Sequence, residues 1–353
     1  MNNLFKPYIS NELEDLNDIL KSGSLSYNNW GRKFEKLIEK FVGVKNVVST
    51  NTYSNAINVA LATLGLKPGD EVIASPMSCV ASNMPLLNYG LKIKWCDIDP
   101  KTGTLSPDYL RTIISKRTKL IVHNHFCGYV GYVDEINDIA RNYSIPVIDD
   151  CIEAFGSEYK GKKVGNLKTD ITIFSFQTVR LPNTIEGGAI IFNSEELYEK
   201  SLLLRDLGIN RKNFRDDFNE ISESCDIITP GYAAMPNEVS SYFGCVQMNE
   251  IEKLLVQQNV NANNLSIWLD SKYPEIYRMN SRKEINPNYW VFGIIVDNKI
   301  EMLKKFRELG FYASGVHIKN NIYSVFDSKI DLEGVNEFNN KFLALPSGWW
   351  INN

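Results

Sequence analysis

The sequence contains no apolar run approaching the roughly 18–20 residues needed to span a bilayer, so it offers no helical membrane anchor. Nor does its start read as a signal peptide. Residues 1–20 mix apolar side chains with Glu12, Glu14, Asp15 and Asp18, where a signal would carry an uninterrupted apolar stretch. A basic excess is also missing. The net charge is −4 and the pI about 5.6, so no global field draws in nucleic acid or an anionic membrane surface. Any phosphate must be held by a local site. The six cysteines, at 79, 96, 127, 151, 225 and 245, form no C-x-x-C pair. That argues against zinc and for a reduced cytoplasmic protein. Repeats, low-complexity segments and charge blocks are absent too.

What is present suits a large domain plus a smaller one. The 353 residues are 44% apolar and 23% charged, ordinary for a soluble globular protein with a sizeable core. Residues 11–21 and 32–42 have helical spacing, with Phe34, Leu37, Ile38 and Phe41 on one stripe. Short β-rich runs follow at 46–49, 71–75, 92–96, 119–123, 145–149, 170–175 and 188–193, with helical stretches at 54–64, 78–88, 106–115 and 133–142. Strands alternating with helices predict crossover units and a seven-stranded, mostly parallel sheet covered on both faces. The last run follows its predecessor without a clear helix, which suits an antiparallel seventh strand. Residues 1–245 are expected to form this large α/β domain. Residues 246–353 are expected to form a small α+β domain, with helices at 246–270, 300–309 and 333–342 and strands at 289–296 and 311–316.

Ligands of open α/β sheets gather at the carboxyl ends of the parallel strands, and four segments fall there. In Asn51-Thr52-Tyr53-Ser54, free N–H groups at a helix start beside hydroxyls could cradle a phosphate; a plain cap by Thr52 or Ser54 is the simpler reading. In Asp149-Asp150-Cys151-Ile152-Glu153, carboxylates end a buried strand and need cationic or hydrogen-bonding partners. From Ser175 through Gln177 and Arg180 to Glu186-Gly187-Gly188, a serine, a basic residue and a glycine turn suggest an anion-binding loop. In His123-Asn124-His125, the two histidines are expected to face opposite sides, which disfavours a shared metal and leaves a buried, hydrogen-bonded histidine.

Taken in order, these segments resemble the DegT/DnrJ/StrS family of nucleotide-sugar aminotransferases, a branch of the fold-type I pyridoxal phosphate (PLP) enzymes. The resemblance runs from about residue 25 to 345 and includes Leu66-Lys67-Pro68-Gly69-Asp70, Gly103-Thr104-Leu105-Ser106, His125 with Gly128, Leu203-Leu204-Arg205 with Gly208, and Pro230-Gly231-Tyr232. It implies action on nucleotide-linked keto sugars for surface glycans, and a homodimer with active sites at the interface. It also implies that Asp150 pairs with the pyridine nitrogen, while Ser175, Tyr53 and Ser54 hold the cofactor phosphate.

The remaining site positions depart from that pattern. The lysine that forms the internal aldimine falls on Arg180, whose delocalised guanidinium stays charged and cannot form a Schiff base. A histidine becomes Gln177, and the aromatic that stacks on the pyridine becomes Cys79. The asparagine and arginine expected from the neighbouring subunit become Ala233 and Met235, and a glutamine beside the phenolic oxygen becomes Glu153. Arg180 is therefore expected to ion-pair with Asp150, Glu153 or both and to fill the pyridoxal site, so that Arg180→Ala costs roughly 3–5 kcal/mol.

Three readings follow. In one, PLP or its amine form PMP binds non-covalently and performs altered sugar chemistry. In another, the protein has no covalent cofactor and binds or modifies a nucleotide sugar, through Asp150, Glu153, His125 or His317, or is the silent partner of an active paralogue in a heterodimer. The third recruits Lys168, but that residue lies seven positions before Ser175, or roughly 23 Å at about 3.3 Å per residue. Arg32, Arg205 and Arg211 are candidates for a sugar pyrophosphate, with solvated surface charge as the simpler account. Trp349 and Trp350 could flank a base or be buried on the small domain.

Overall fold

The computed structural model describes residues 1–327 and 329–351. Its main sheet has seven strands: β1 (Val47–Thr50), β2 (Glu71–Ala74), β3 (Lys92–Trp95), β4 (Thr118–Asn124), β5 (Val147–Cys151), β6 (Ile171–Ser175) and β7 (Gly188–Phe192), in the order β1-β7-β6-β5-β4-β2-β3. Strands β3, β2, β4, β5 and β6 run parallel. Strand β7 is antiparallel to both β6 and β1, as expected. Every residue of β5, β6 and β7 is buried, which is why these runs read as continuously apolar rather than alternating.

Helices cover the sheet. Tyr53–Leu64, Val80–Asn88, Pro107–Ile113 and Val133–Tyr143 are the crossovers, and Asn29–Val42 lays Phe34, Ile38 and Val42 onto the core. The N-terminal helix is shorter than its spacing suggested, spanning only Leu16–Lys21. Gly188 is needed for close approach. A Cβ there would lie 2.9 Å from Thr50 Oγ1 and 3.1 Å from the Thr52 carbonyl oxygen and from Tyr53 Cα, so any side chain would push the 50–53 turn off the sheet.

Beyond residue 237 the structure departs from the sequence reading in two places. The long helix is Glu238–Lys272, and the Asn237 side chain caps it by accepting the Ser240 N–H at 2.8 Å. The division expected at 245/246 thus falls inside one continuous helix. Its early turns (Cys245, Met248, Ile251) join the core beside Phe34, and its later turns (Ala262, Leu265, Leu269) join a separate core with Phe292, Ile294, Phe306 and Leu343. The strand expected at 311–316 is not formed. Phe311 bridges Asn2 and Ser314 bridges Ala344 in isolation, and Val316 takes a positive φ of 58° that breaks an extended run. The small sheet is built instead from residues 277–278, Phe292–Ile295 and Phe342–Leu345, all antiparallel.

Candidate active site

The ends of β1, β2, β4, β5 and β6 converge, and the charged groups there sort into separate networks. Asp150, 1% exposed, ends β5 with both oxygens engaged. Oδ1 accepts from the Tyr53 hydroxyl at 2.6 Å and the Ile152 N–H at 3.2 Å, and Oδ2 accepts from Asn124 Nδ2 at 2.7 Å. Burial pushes the Asp150 carboxyl up, against the hydrogen bonds from Ser82, Tyr53 and Asn124. Burial together with the adjacent carboxylate also raises the Tyr53 phenol well above its usual value, so Tyr53 keeps its proton and donates it. Tyr53 was expected at a phosphate. It turns inward instead, because as the first residue of its helix it faces the core, with Ala56 and Ile57 behind it. The helix is capped by Thr52, whose Oγ1 accepts the Asn55 N–H at 3.1 Å, while Ser54 is exposed.

Glu153 forms the second network. Its Oε2 accepts the Cys127 N–H at 2.8 Å, and Oε1 lies 2.6 Å from His317 Nε2 and 3.5 Å from Arg180 Nη2. Burial alone would raise this carboxyl, but His317, Arg180 and the Cys127 N–H together hold it below its ordinary value. Arg180 thus pairs with Glu153 and not with Asp150, which corrects the broader expectation: Tyr53 and Asn124 have already taken Asp150. The Arg180 side chain is 9% exposed and lies over the Trp290 ring at 4.3 Å. Trp290 is held from behind by stacking on Phe5 and by its Nε1–H bond to the Val179 carbonyl at 2.9 Å. Arg180 Nε and Nη1 are buried with no hydrogen-bond partner.

The other expected residues line the same region with lesser roles. Ser175 Oγ accepts the Gln177 N–H at 3.4 Å, and Gln177 Oε1 turns back to the Val179 N–H at 3.2 Å. Cys79, at the start of helix 80–88, has its thiol pushed up to about 11 by burial and by Glu153, so it stays protonated. Lys168 is exposed at the far end of β6. Trp290 and Asn124 had no signal in the sequence beyond being an aromatic near a strand and an asparagine between histidines.

The two histidines do not face apart. Positions i and i+2 of an extended chain lie on the same face, so the expectation of opposite faces does not hold, even though β4 ends at Asn124 and His125 lies just past it. The rings of His123 and His125 meet at 4.7 Å and flank Asp149, with His123 Nδ1 at 3.2 Å and His125 Nε2 at 3.5 Å from Oδ1. This trio could by spacing hold a metal. However, the Gly131 N–H donates to His125 Nδ1 at 3.0 Å. The neutral ring then carries its proton on Nε2, the atom that would have to ligate. The cluster is a buried hydrogen-bond network, completed by Thr169 Oγ1 donating to Asp149 at 2.6 Å.

That network has a pH consequence. Burial lowers the His123 pKa, overriding its hydrogen bond to Asp149. The unfolded chain takes up this proton below about 6.5 while the folded protein does not. Stability should therefore be intact above that pH and fall on acidification, by at most about 1.4 kcal/mol per pH unit for this residue. Urea midpoints at about pH 7.5 and about pH 5.5 should differ less in His123→Asn than in the parent; equal losses would show that His123 is not the group responsible.

Of the arginines considered for a pyrophosphate, Arg205 is not on the surface. It is 4% exposed, bonded to Glu35 at 2.5 Å and to the Ser49 carbonyl at 2.9 Å, beneath Tyr27. Arg211 is paired with Asp206, and Arg32 bonds Asn28 at 2.9 Å. All three line an open cavity of about 1470 Å³ that also includes Asn51, Ala233 and Met235. Trp349 packs edge-on against Tyr8, and Trp350 Nε1 bonds the Asn3 carbonyl at 3.0 Å, so both are spent on the N-terminal segment.

The sequence profile of the DegT/DnrJ/EryC1/StrS aminotransferase family matches residues 8–347. The chain belongs to that family. It is 32% identical to the UDP-4-amino-4,6-dideoxy-N-acetyl-beta-L-altrosamine transaminase of Campylobacter jejuni, over 68% of this chain and 62% of that protein. It is 28% identical to the GDP-4-keto-6-deoxy-D-mannose 3-dehydratase of Yersinia pseudotuberculosis, over 90% of this chain and 86% of the relative. Three curated relatives are spanned over only 62 to 66% of their length. The solved sugar aminotransferase CalS13 from Micromonospora echinospora superposes with a TM-score of 0.92 at 25% identity, covering all of this chain and 96% of CalS13.

Membership in this family makes a PLP or PMP site the natural expectation, and the residues present do not fit one. The aspartate that a pyridinium would need is saturated by Tyr53 and Asn124. On the resemblance drawn from the sequence, the ring-stacking position falls on Cys79 and the amine position on Arg180, whose guanidinium is already packed on Trp290. Among the described residues no lysine bonds to Asp150, Glu153 or Ser175.

Proposed function

We propose that this protein binds a nucleotide-linked keto sugar in the family's cleft and acts on it, if at all, without a covalently bound pyridoxal group. The observation that carries the reading is the filled site: Tyr53 donates to Asp150, and Arg180 lies between Trp290 and the Glu153–His317 pair. A buried cation beside two ionisable partners is stable only where polar contacts compensate it. Here Glu153 supplies one such contact to Arg180, at 3.5 Å, and the Trp290 ring lies beneath the guanidinium. Relatives named for UDP- and GDP-linked sugars support the ligand class. The resemblance favours a dimer, with itself or with an active paralogue.

A second reading, a PLP- or PMP-assisted sugar aminotransferase or dehydratase, draws support from the 3-dehydratase that aligns over 90% of this chain. Titration with PLP and with PMP separates the two. The proposed reading expects no imine absorbance, no borohydride-trapped adduct and no rise in melting temperature with either compound. It expects a rise with GDP-4-keto-6-deoxy-D-mannose or a UDP-linked keto sugar, since a ligand at 100 times its Kd adds about 2.7 kcal/mol. Stabilisation by PMP alone would overturn it in favour of the second.

A further inference from the structure

The four groups considered for acid–base work are not equally available. Asp150 has both oxygens engaged and is 1% exposed. His125 is 0% exposed, with Nδ1 taken by the Gly131 N–H. Glu153 is turned wholly toward protein donors. His317 differs: its side chain is 16% exposed, and Nε2 is fixed on Glu153 at 2.6 Å. Nδ1 makes no hydrogen bond to the described residues. A histidine with one nitrogen on a carboxylate and the other unengaged is the arrangement of an oriented general base. Arg180 shares the same carboxylate, its Nη2 lying 3.5 Å from Glu153 Oε1, but its Nε and Nη1 are too buried to reach a substrate atom.

We propose that His317 is the catalytic base of a cofactor-free enolisation of the keto sugar, with Glu153 as the positioning residue. The inference rests on the nucleotide-sugar reading above. The C–H bond on a carbon next to the ketone breaks, and its proton passes to Nδ1 of His317. The electron pair moves into the carbonyl to give the enolate. Return of a proton from Nδ1 to carbon restores the ketone, with exchange or inversion at that centre. Nothing is oxidised or reduced, so no further reactant is needed.

The experiment incubates the full chain with GDP-4-keto-6-deoxy-D-mannose in D₂O and follows, by proton NMR, loss of the signals flanking the ketone. Thermal shift with the same compound reports binding. The parent should exchange. His317→Asn should bind the sugar as the parent does and exchange about 10²–10⁴-fold more slowly. Glu153→Gln, which keeps the shape but removes the charge facing Nε2, should slow exchange while leaving the thermal shift with the sugar unchanged. A merely structural His317–Glu153 pair would leave the exchange rate of correctly folded His317→Asn unchanged. Binding by the parent without exchange, or exchange undiminished in His317→Asn, overturns the proposal and leaves the binding reading standing. Absence of binding by the parent removes both.

Discussion

Arg180→Lys alone should leave the protein unable to form a stable imine with PLP, whereas Arg180→Lys combined with Tyr53→Gly should form one. A lysine would supply a nucleophilic amine, but in the placement the family resemblance implies the ring nitrogen faces Asp150, whose Oδ1 holds the Tyr53 hydroxyl at 2.6 Å. Phenol and pyridinium compete for one carboxylate at the end of β5, and the phenol is covalently present. Removing it frees that oxygen and opens a space, at a cost of the order of 3–5 kcal/mol for losing a buried aromatic. The double variant should therefore melt lower than the parent when empty and recover when PLP is added. Visible absorbance of the imine and mass gain after borohydride provide the readout. A trapped adduct in the single variant, as abundant as in the double, would show that Tyr53 is no obstacle.

Glu153→Ala is expected to lose about 3–5 kcal/mol of stability, because it strips from a buried guanidinium the one carboxylate paired with it among the described residues and leaves the His317 ring and the Cys127 N–H without their acceptor. Arg180→Met should cost no stability. It forfeits the packing on Trp290, worth about 0.5–2 kcal/mol, and a long 3.5 Å contact. It also removes two buried donors that have no partner, each a burden of about 1–3 kcal/mol. Glu153, meanwhile, keeps its closer partner at 2.6 Å. An arginine set between two carboxylates would have made Arg180 the costly residue to remove; the geometry transfers that cost to Glu153. Denaturant midpoints of the two variants decide it, and equal losses would mean that Arg180 is held by contacts stronger than its distances indicate.

Much of this was legible in the residues. Runs such as GAIIF at 188–192 and ITIFS at 171–175 are apolar on both faces, and only a strand buried on both sides accommodates that pattern. The absence of the amine at 180 is a matter of covalent chemistry and needs no coordinates. Elsewhere the reading failed for identifiable reasons. Pro236-Asn237-Glu238 is a helix start, but the apolar periodicity after 246 drew the boundary later. The segment 311–316 has strand-like residues, yet Val316 at positive φ prevents pairing. The histidine pair was assigned to opposite faces by misapplying the strand period: residues two apart on an extended chain share a face, and the two rings do meet.

By itself the sequence determined the sheet, its one reversed strand and the family, since all of these follow from local pattern and the order of the motifs. Only the tertiary structure decided which charges meet. Asp150 and Glu153 are three positions apart on one chain, yet one is claimed by Tyr53, 97 residues distant, and the other by His317, 164 residues distant. Partnership in a buried site is set by which donor reaches the carboxylate once distant segments have packed, and no local signal encodes that.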